Sequence, residues 1–76
     1  MVNKYASDIQ LLLEPLVGAF VAKMAVNFQC KSLGITPEEI GPNNLDQLAE
    51  RIGKALEMQG KADVSRSMVE KIKALK

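Results

Sequence analysis

Residues 11–26 read LLLEPLVGAFVAKMAV, and this segment is apolar almost all the way round a helix. A chain of 76 residues that carries such a segment must cover it with its other helices or with a second chain. Glu14, Pro15 and Lys23 interrupt the segment, which is also shorter than the roughly 20 apolar residues that span a bilayer. We therefore predict a core helix and no membrane span.

Pro15 divides this segment. A proline ring is disfavoured inside a helix, restricts the residue before it and suits the first turn of a new helix. We therefore predict a break at Glu14–Pro15, with a short helix before it that Ser7 caps and a long helix after it that Gly34 closes. The whole prediction is an all-α small helical bundle in a single domain, with three main helices (about 15–33, 44–59 and 63–75) and two short helical segments (about 7–13 and 37–40).

The last two main helices are amphipathic, which indicates their buried faces. Apolar residues of the helix over 44–59 share one arc, namely Leu45, Leu48, Ala49, Ile52, Ala55 and Leu56. The helix over 63–75 carries a narrower stripe made by Val64, Met68, Ile72 and Leu75. The helix over 15–33 is apolar around more than half of its circumference, so we expect it at the centre of the bundle.

The amino-acid composition argues against catalytic, metal-binding and cofactor-binding sites. The chain has no histidine, which is the commonest general base and metal ligand, and it has one cysteine, Cys30. Near the C-terminal end of a helix, the helix dipole disfavours a thiolate at Cys30. The carboxylates are scattered and the five glycines form no phosphate-binding cluster. We therefore predict no catalytic, metal-binding or cofactor-binding residues and no enzymatic activity, in a cytoplasmic protein without disulfides.

Charge is distributed unevenly along the chain. Residues 36–60 carry a net charge of −3 and residues 61–76 a net charge of +3, while the whole chain carries +1. The basic residues of the last helix do not form one row, and no aromatic residue lies among them to stack on bases. The overall charge is also far from the basic footprint of nucleic-acid-binding domains. Nucleic-acid binding through this helix is therefore the third of our functional hypotheses.

Two stretches resemble a known class of small domain. Residues 12–33, LLEPLVGAFVAKMAVNFQCKSL, and residues 45–52, LDQLAERI, are similar to small helical modules of prokaryotic signalling proteins. In those modules a leucine-rich turn and a glycine-containing apolar helix precede a short leucine/alanine helix. Together the two stretches lie within residues 12–52 of the chain. The resemblance implies an interaction or dimerisation role in signalling or regulation and no catalytic residue.

The predicted interaction surface consists of Leu16, Phe20, Lys23 and Asn27. On one continuous helix, Leu16 and Phe20 lie one turn apart beside the polar strip that contains Lys23 and Asn27. An apolar patch with a polar rim is typical of a binding site, and the expected partner is a second copy or another helical protein. Alternatively, residues 7–13 fold back over Leu16 and Phe20 and leave nothing exposed. A second function to be considered is a carrier or sensor of an apolar ligand, lined by Met24, Met58 and Met68.

Overall fold

The computed structural model describes residues 3–75, and all regular structure within that range is helical. The helices are α1 (Lys4–Val17), α2 (Ala19–Ser32), α3 (Pro42–Met58) and α4 (Ala62–Lys73), with a short 3-10 helix, Pro37–Glu39, between α2 and α3. The predicted all-α small bundle is confirmed. Helix α1 packs mainly on α2 and α3 packs mainly on α4, so two helix pairs enclose one core.

The predicted break at Glu14–Pro15 is wrong. Helix α1 continues through Pro15 to Val17, and the chain turns at Gly18, which has φ 88° and ψ 161°. This conformation is accessible essentially to glycine alone, so the turn falls at the glycine and not at the proline. The first helix is therefore twice as long as the predicted segment over 7–13, and the predicted helix over 15–33 begins at Ala19 instead.

The N-terminus of α1 also differs from the prediction, because Asn3 and not Ser7 caps it. The Asn3 Oδ1 atom accepts a hydrogen bond of 2.7 Å from the Tyr5 backbone N–H. The Asn3 Nδ2 atom donates to the backbone carbonyls of Glu38 (3.2 Å) and Ile40 (2.9 Å). One side chain therefore begins the first helix and also holds the loop that precedes α3.

The remaining helix ends lie close to the predicted ones. Gly34 follows α2 with φ 78°, as expected of a C-terminal cap, and the Glu39 carboxylate accepts from the Thr36 N–H at 2.8 Å. Helix α3 begins two residues earlier than predicted, where the Asn44 Oδ1 atom accepts from the Gly41 N–H at 2.8 Å. The segment predicted over 37–40 ends at Glu39, and α4 spans Ala62–Lys73 rather than 63–75.

Helix α3, and not α2, contributes most to the core. Six residues of α3 are buried: Leu45, Leu48, Ala49, Ile52, Gly53 and Leu56. Helix α2 buries only Ala22, Val26 and Cys30, which follow one another at four-residue intervals along one face. The expectation that the helix over 15–33 lies at the centre is therefore wrong, because the break at Gly18 lets its small-residue face pack while its bulkiest side chains point outward.

Gly53 allows α3 and α4 to approach closely. A Cβ atom at this position would clash with the Val69 side chain and would touch Ser65. Ser65 is itself buried on α4, at a position that the amphipathic pattern did not predict. Small residues at both positions therefore set the distance between these two helices.

Candidate interaction surface

The outer face of α2 carries an exposed apolar stripe, which we call the α2 stripe and define as Phe20, Val21, Met24 and Phe28. The exposed fractions of these residues are 76%, 45%, 54% and 66%. Phe20, Met24 and Phe28 are spaced four residues apart, so they follow one another along the same side of the helix. Because α2 packs through Ala22, Val26 and Cys30, the stripe has no covering element within residues 3–75.

The four residues of the predicted surface are separated by the turn at Gly18. Phe20, Lys23 and Asn27 are all exposed on α2, but Leu16 is half-buried on α1. Leu16 and Phe20 therefore do not lie one turn apart on a single helix. Residues 7–13 also do not cover Phe20, because three-quarters of its surface stays exposed.

Sequence analysis missed Val21, Met24 and Phe28 as surface residues. The helix over 15–33 is apolar around more than half of its circumference, and this pattern had predicted that the rest of the bundle surrounds these residues. The available signal was the row of small residues formed by Ala22, Val26 and Cys30. Only one face of α2 has side chains small enough for close packing, and the large side chains face away from it.

A narrow apolar crevice lies beside the stripe, between α2 and α3. Its volume is about 30 Å³, enough for a water molecule or a methyl group. Its walls come from α1, α2, α3 and the residue that follows α3, and they consist of Leu13, Val17, Val21, Ala25, Gln29, Ile52, Ala55, Leu56 and Gln59. Val21 belongs both to the stripe and to this crevice, so the exposed apolar surface continues inward between the helices.

The three methionines proposed as a ligand lining lie in different environments. Met68 is buried in the core, whereas Met24 and Met58 are 54% and 81% exposed. None of the three lines the crevice between α2 and α3.

The surface between α3 and α4 carries charges of both signs. An open groove of about 1000 Å³ between α3 and α4 is bordered by acidic and basic side chains, namely Asp46, Glu50, Glu57, Arg51, Lys54 and Arg66. Lys73 of the last helix donates to the Glu50 carboxylate at 2.8 Å, and this contact raises the pKa of Lys73. Three of these six side chains are acidic and three are basic, so the groove does not present a purely basic surface.

Cys30 is fully buried in the core. Burial raises the pKa of the Cys30 thiol above its ordinary value, and the nearby Glu38 carboxylate raises it further. The thiol is therefore protonated at neutral pH and is not accessible to a substrate. Within residues 3–75 no three histidine, cysteine or acidic side chains are grouped so that they could hold a metal ion.

Comparisons with protein families, with curated proteins and with solved structures find no match to this chain. None of the helices between residues 3 and 75 combines the length and the apolar character that crossing a membrane requires.

Proposed function

We propose that this chain is a non-enzymatic protein-interaction module that forms a dimer through the α2 stripe. The observation that carries the proposal is the exposure of two phenylalanines and a methionine in one row. Exposed apolar groups in a continuous row favour association, because burying them removes apolar surface from water. Aromatic residues and methionine are also enriched in protein interfaces relative to other surfaces.

The size of the stripe indicates a weak dimer. Given about 200 Å² for a fully exposed phenylalanine, the four side chains expose roughly 400–500 Å² per copy. A stable interface usually covers about 800 Å² per partner, so the stripe alone supplies around half of that area. We therefore expect association that depends on protein concentration and not a permanent dimer.

The order of residues in the stripe favours a second copy as the partner. Phe20, Met24 and Phe28 are symmetric about Met24, so the row is the same when it is followed in either direction. In an antiparallel two-fold pair, Met24 meets Met24 and Phe20 of one copy meets Phe28 of the other. Such self-complementarity is what a two-fold interface requires, and sulfur–aromatic contacts would add to its stability.

The margins of the stripe agree with this arrangement. Lys23 and Asn27 are exposed along one margin, and α2 carries no acidic residue. When two copies pair across the apolar row, these polar side chains stay in water at the rim of the interface. The charge of Lys23 and the amide of Asn27 therefore remain hydrated instead of being buried.

Sedimentation velocity at increasing protein concentration tests the proposal. We expect the wild-type sedimentation coefficient to rise from the monomer value towards the dimer value between tens and hundreds of micromolar protein. In protein that has never been denatured, Phe20→Glu and Phe28→Glu should each abolish this reversible, concentration-dependent association, because each would bury two unpaired carboxylates in the symmetric interface.

The matched control is Ser67→Glu, which adds the same charge at an exposed position of α4. It should associate as the wild type does. Circular dichroism of each variant would confirm that the helices remain folded. A wild type that stays monomeric throughout would contradict the proposal. A folded Phe28→Glu variant that keeps the reversible, concentration-dependent association would also contradict it.

A further inference from the structure

Gly18 is the only residue between α1 and α2, and the helical hydrogen-bond pattern reaches it from both sides. The Gly18 N–H donates to the Glu14 carbonyl at 2.8 Å, and the Gly18 carbonyl accepts from the Ala22 N–H at 2.9 Å. Both are the i to i−4 bonds of a continuous helix. A change in the φ and ψ angles of Gly18 alone would therefore convert the folded-back arrangement of α1 and α2 into one uninterrupted helix.

A continuous helix would add backbone hydrogen bonds. With Gly18 in helical geometry, the N–H groups of residues 19–21 would donate to the carbonyls of residues 15–17. In the folded-back form, no side chain caps this end of α2. Pro15 does not oppose the change, because α1 already accommodates its ring and its missing N–H.

The apolar pattern continues across the turn. Leu12, Leu16, Phe20, Met24 and Phe28 follow at four-residue intervals on both sides of Gly18. In a single helix over residues 4–32, each of these side chains would lie one turn from the next, whereas the turn at Gly18 separates Leu12 and Leu16 from the other three. The sequence on either side of Gly18 is therefore compatible with both arrangements.

We propose that Gly18 is a hinge through which two copies of this chain exchange their α1 helices. In the exchanged form residues 4–32 are one helix, and α1 packs in the core of the second copy. Ala6, Ile9 and Leu13 regain there the contacts that they make within one chain. The partner in this exchange is a second copy of the chain, because its core offers the same packing site for α1. That site includes the Glu38 and Ile40 backbone carbonyls that Asn3 contacts.

The inference goes beyond the proposed function, because the exchange does not use the α2 stripe. It is tested in the Phe28→Glu background, where association through the stripe is removed. Gly18→Ala should convert this monomer into a dimer that persists on dilution. Alanine disfavours the φ of 88° at this position but suits a helix, and its Cβ meets no atom within 4 Å.

Gly34→Ala in the same background is the matched control. Gly34 also has positive φ and open space around its Cβ position, but Pro37 follows soon after and prevents helix continuation. This variant should remain monomeric. A dimer with Gly34→Ala would mean that strain alone causes association, which would overturn the proposal.

A distance measurement identifies the exchanged form directly. Spin labels would be attached to Lys4→Cys and Ser32→Cys in a Cys30→Ala chain, which would then be diluted with unlabelled protein. One continuous helix separates these positions by about 42 Å within a chain. The folded-back molecule measures only 30 Å in its longest dimension. Gly18→Ala should give the long distance, and a folded Gly18→Ala variant with the short distance would overturn the proposal.

The wild-type chain provides the second test, for the case that Gly18→Ala does not fold. It would be refolded from denaturant at hundreds of micromolar and then diluted. A fraction of dimer with the long distance that persists after dilution is expected, and Phe28→Glu should not remove it. Complete return to compact monomer would overturn the proposal. If the wild type shows the exchanged dimer but no reversible dimer through the α2 stripe, the proposed function is contradicted and the helix exchange is not.

Discussion

Individual buried residues of α3 contribute strongly to the stability of this small protein. Ile52 and Leu56 are each 3% exposed and belong to the single core that all four helices share. A domain of this size buries a modest fraction of its surface, and no disulfide supplements the core. Each large buried side chain therefore accounts for a substantial share of the free energy of unfolding.

We expect Ile52→Ala to lower the free energy of unfolding by about 2–5 kcal/mol, because it removes buried methyl groups and leaves a cavity. Lys54→Ala, an exposed substitution two residues away, should change it by less than about 0.5 kcal/mol. Urea denaturation followed by circular dichroism measures both values. An Ile52→Ala midpoint equal to that of the wild type would show that this side chain does not support the core.

At the scale of the helix, the contact between α3 and α4 depends on the absence of a side chain at Gly53. Glycine inside a helix is less favourable than alanine by about 1 kcal/mol, so its presence requires a reason. The reason is the position of Val69, whose branched side chain occupies the space that a Cβ atom would need. At this position helix propensity therefore favours alanine, whereas close packing against Val69 favours glycine.

We expect Gly53→Ala to destabilise the fold by about 1–2 kcal/mol, because overpacking at a helix interface outweighs the gain in helix propensity. In a Val69→Ala background the same substitution should be neutral or stabilising. A double-mutant cycle from chemical denaturation gives the coupling energy between the two sites. Strictly additive effects would show that Val69 does not cause the loss.

At the scale of the whole molecule, Cys30 links stability to pH. Its thiol is in the core, and burial and Glu38 both raise its pKa above the ordinary value. Below the ordinary thiol pKa of about 8.5, folded and unfolded chains are both protonated and Cys30 adds no pH dependence. Above that pH the unfolded chain loses the proton first, so the free energy of unfolding decreases until the pH passes the raised pKa of the folded state.

We therefore expect the free energy of unfolding of the wild type to fall more steeply above about pH 8.5 than that of Cys30→Ala. The comparison with Cys30→Ala isolates the contribution of the thiol, because the two proteins share every other ionisable group. Urea denaturation at a series of pH values from neutral to alkaline measures both slopes. Parallel curves for the two proteins would contradict the argument.

Local patterns in the sequence were sufficient to predict the fold class and many of the core residues. The amphipathic pattern of α3 predicted Leu45, Leu48, Ile52 and Leu56 as core residues, and all four are buried. The position of Gly34 predicted the end of α2 and the turn after it. These predictions succeeded because helix periodicity and capping depend on residues within a few positions of each other.

Tertiary structure decided where the first apolar segment turns and which side of it is exposed. Pro15 and Gly18 both disrupt helices, and local propensity alone favoured the proline. The fold instead required a reversal that glycine can adopt, and this placed Ala22, Val26 and Cys30 inward and the α2 stripe outward. The sequence by itself determined that the chain is helical and how α3 is buried, because those properties are local. The exposed face of α2 depended on which helix packs against it, and that choice is made only when the elements meet in three dimensions.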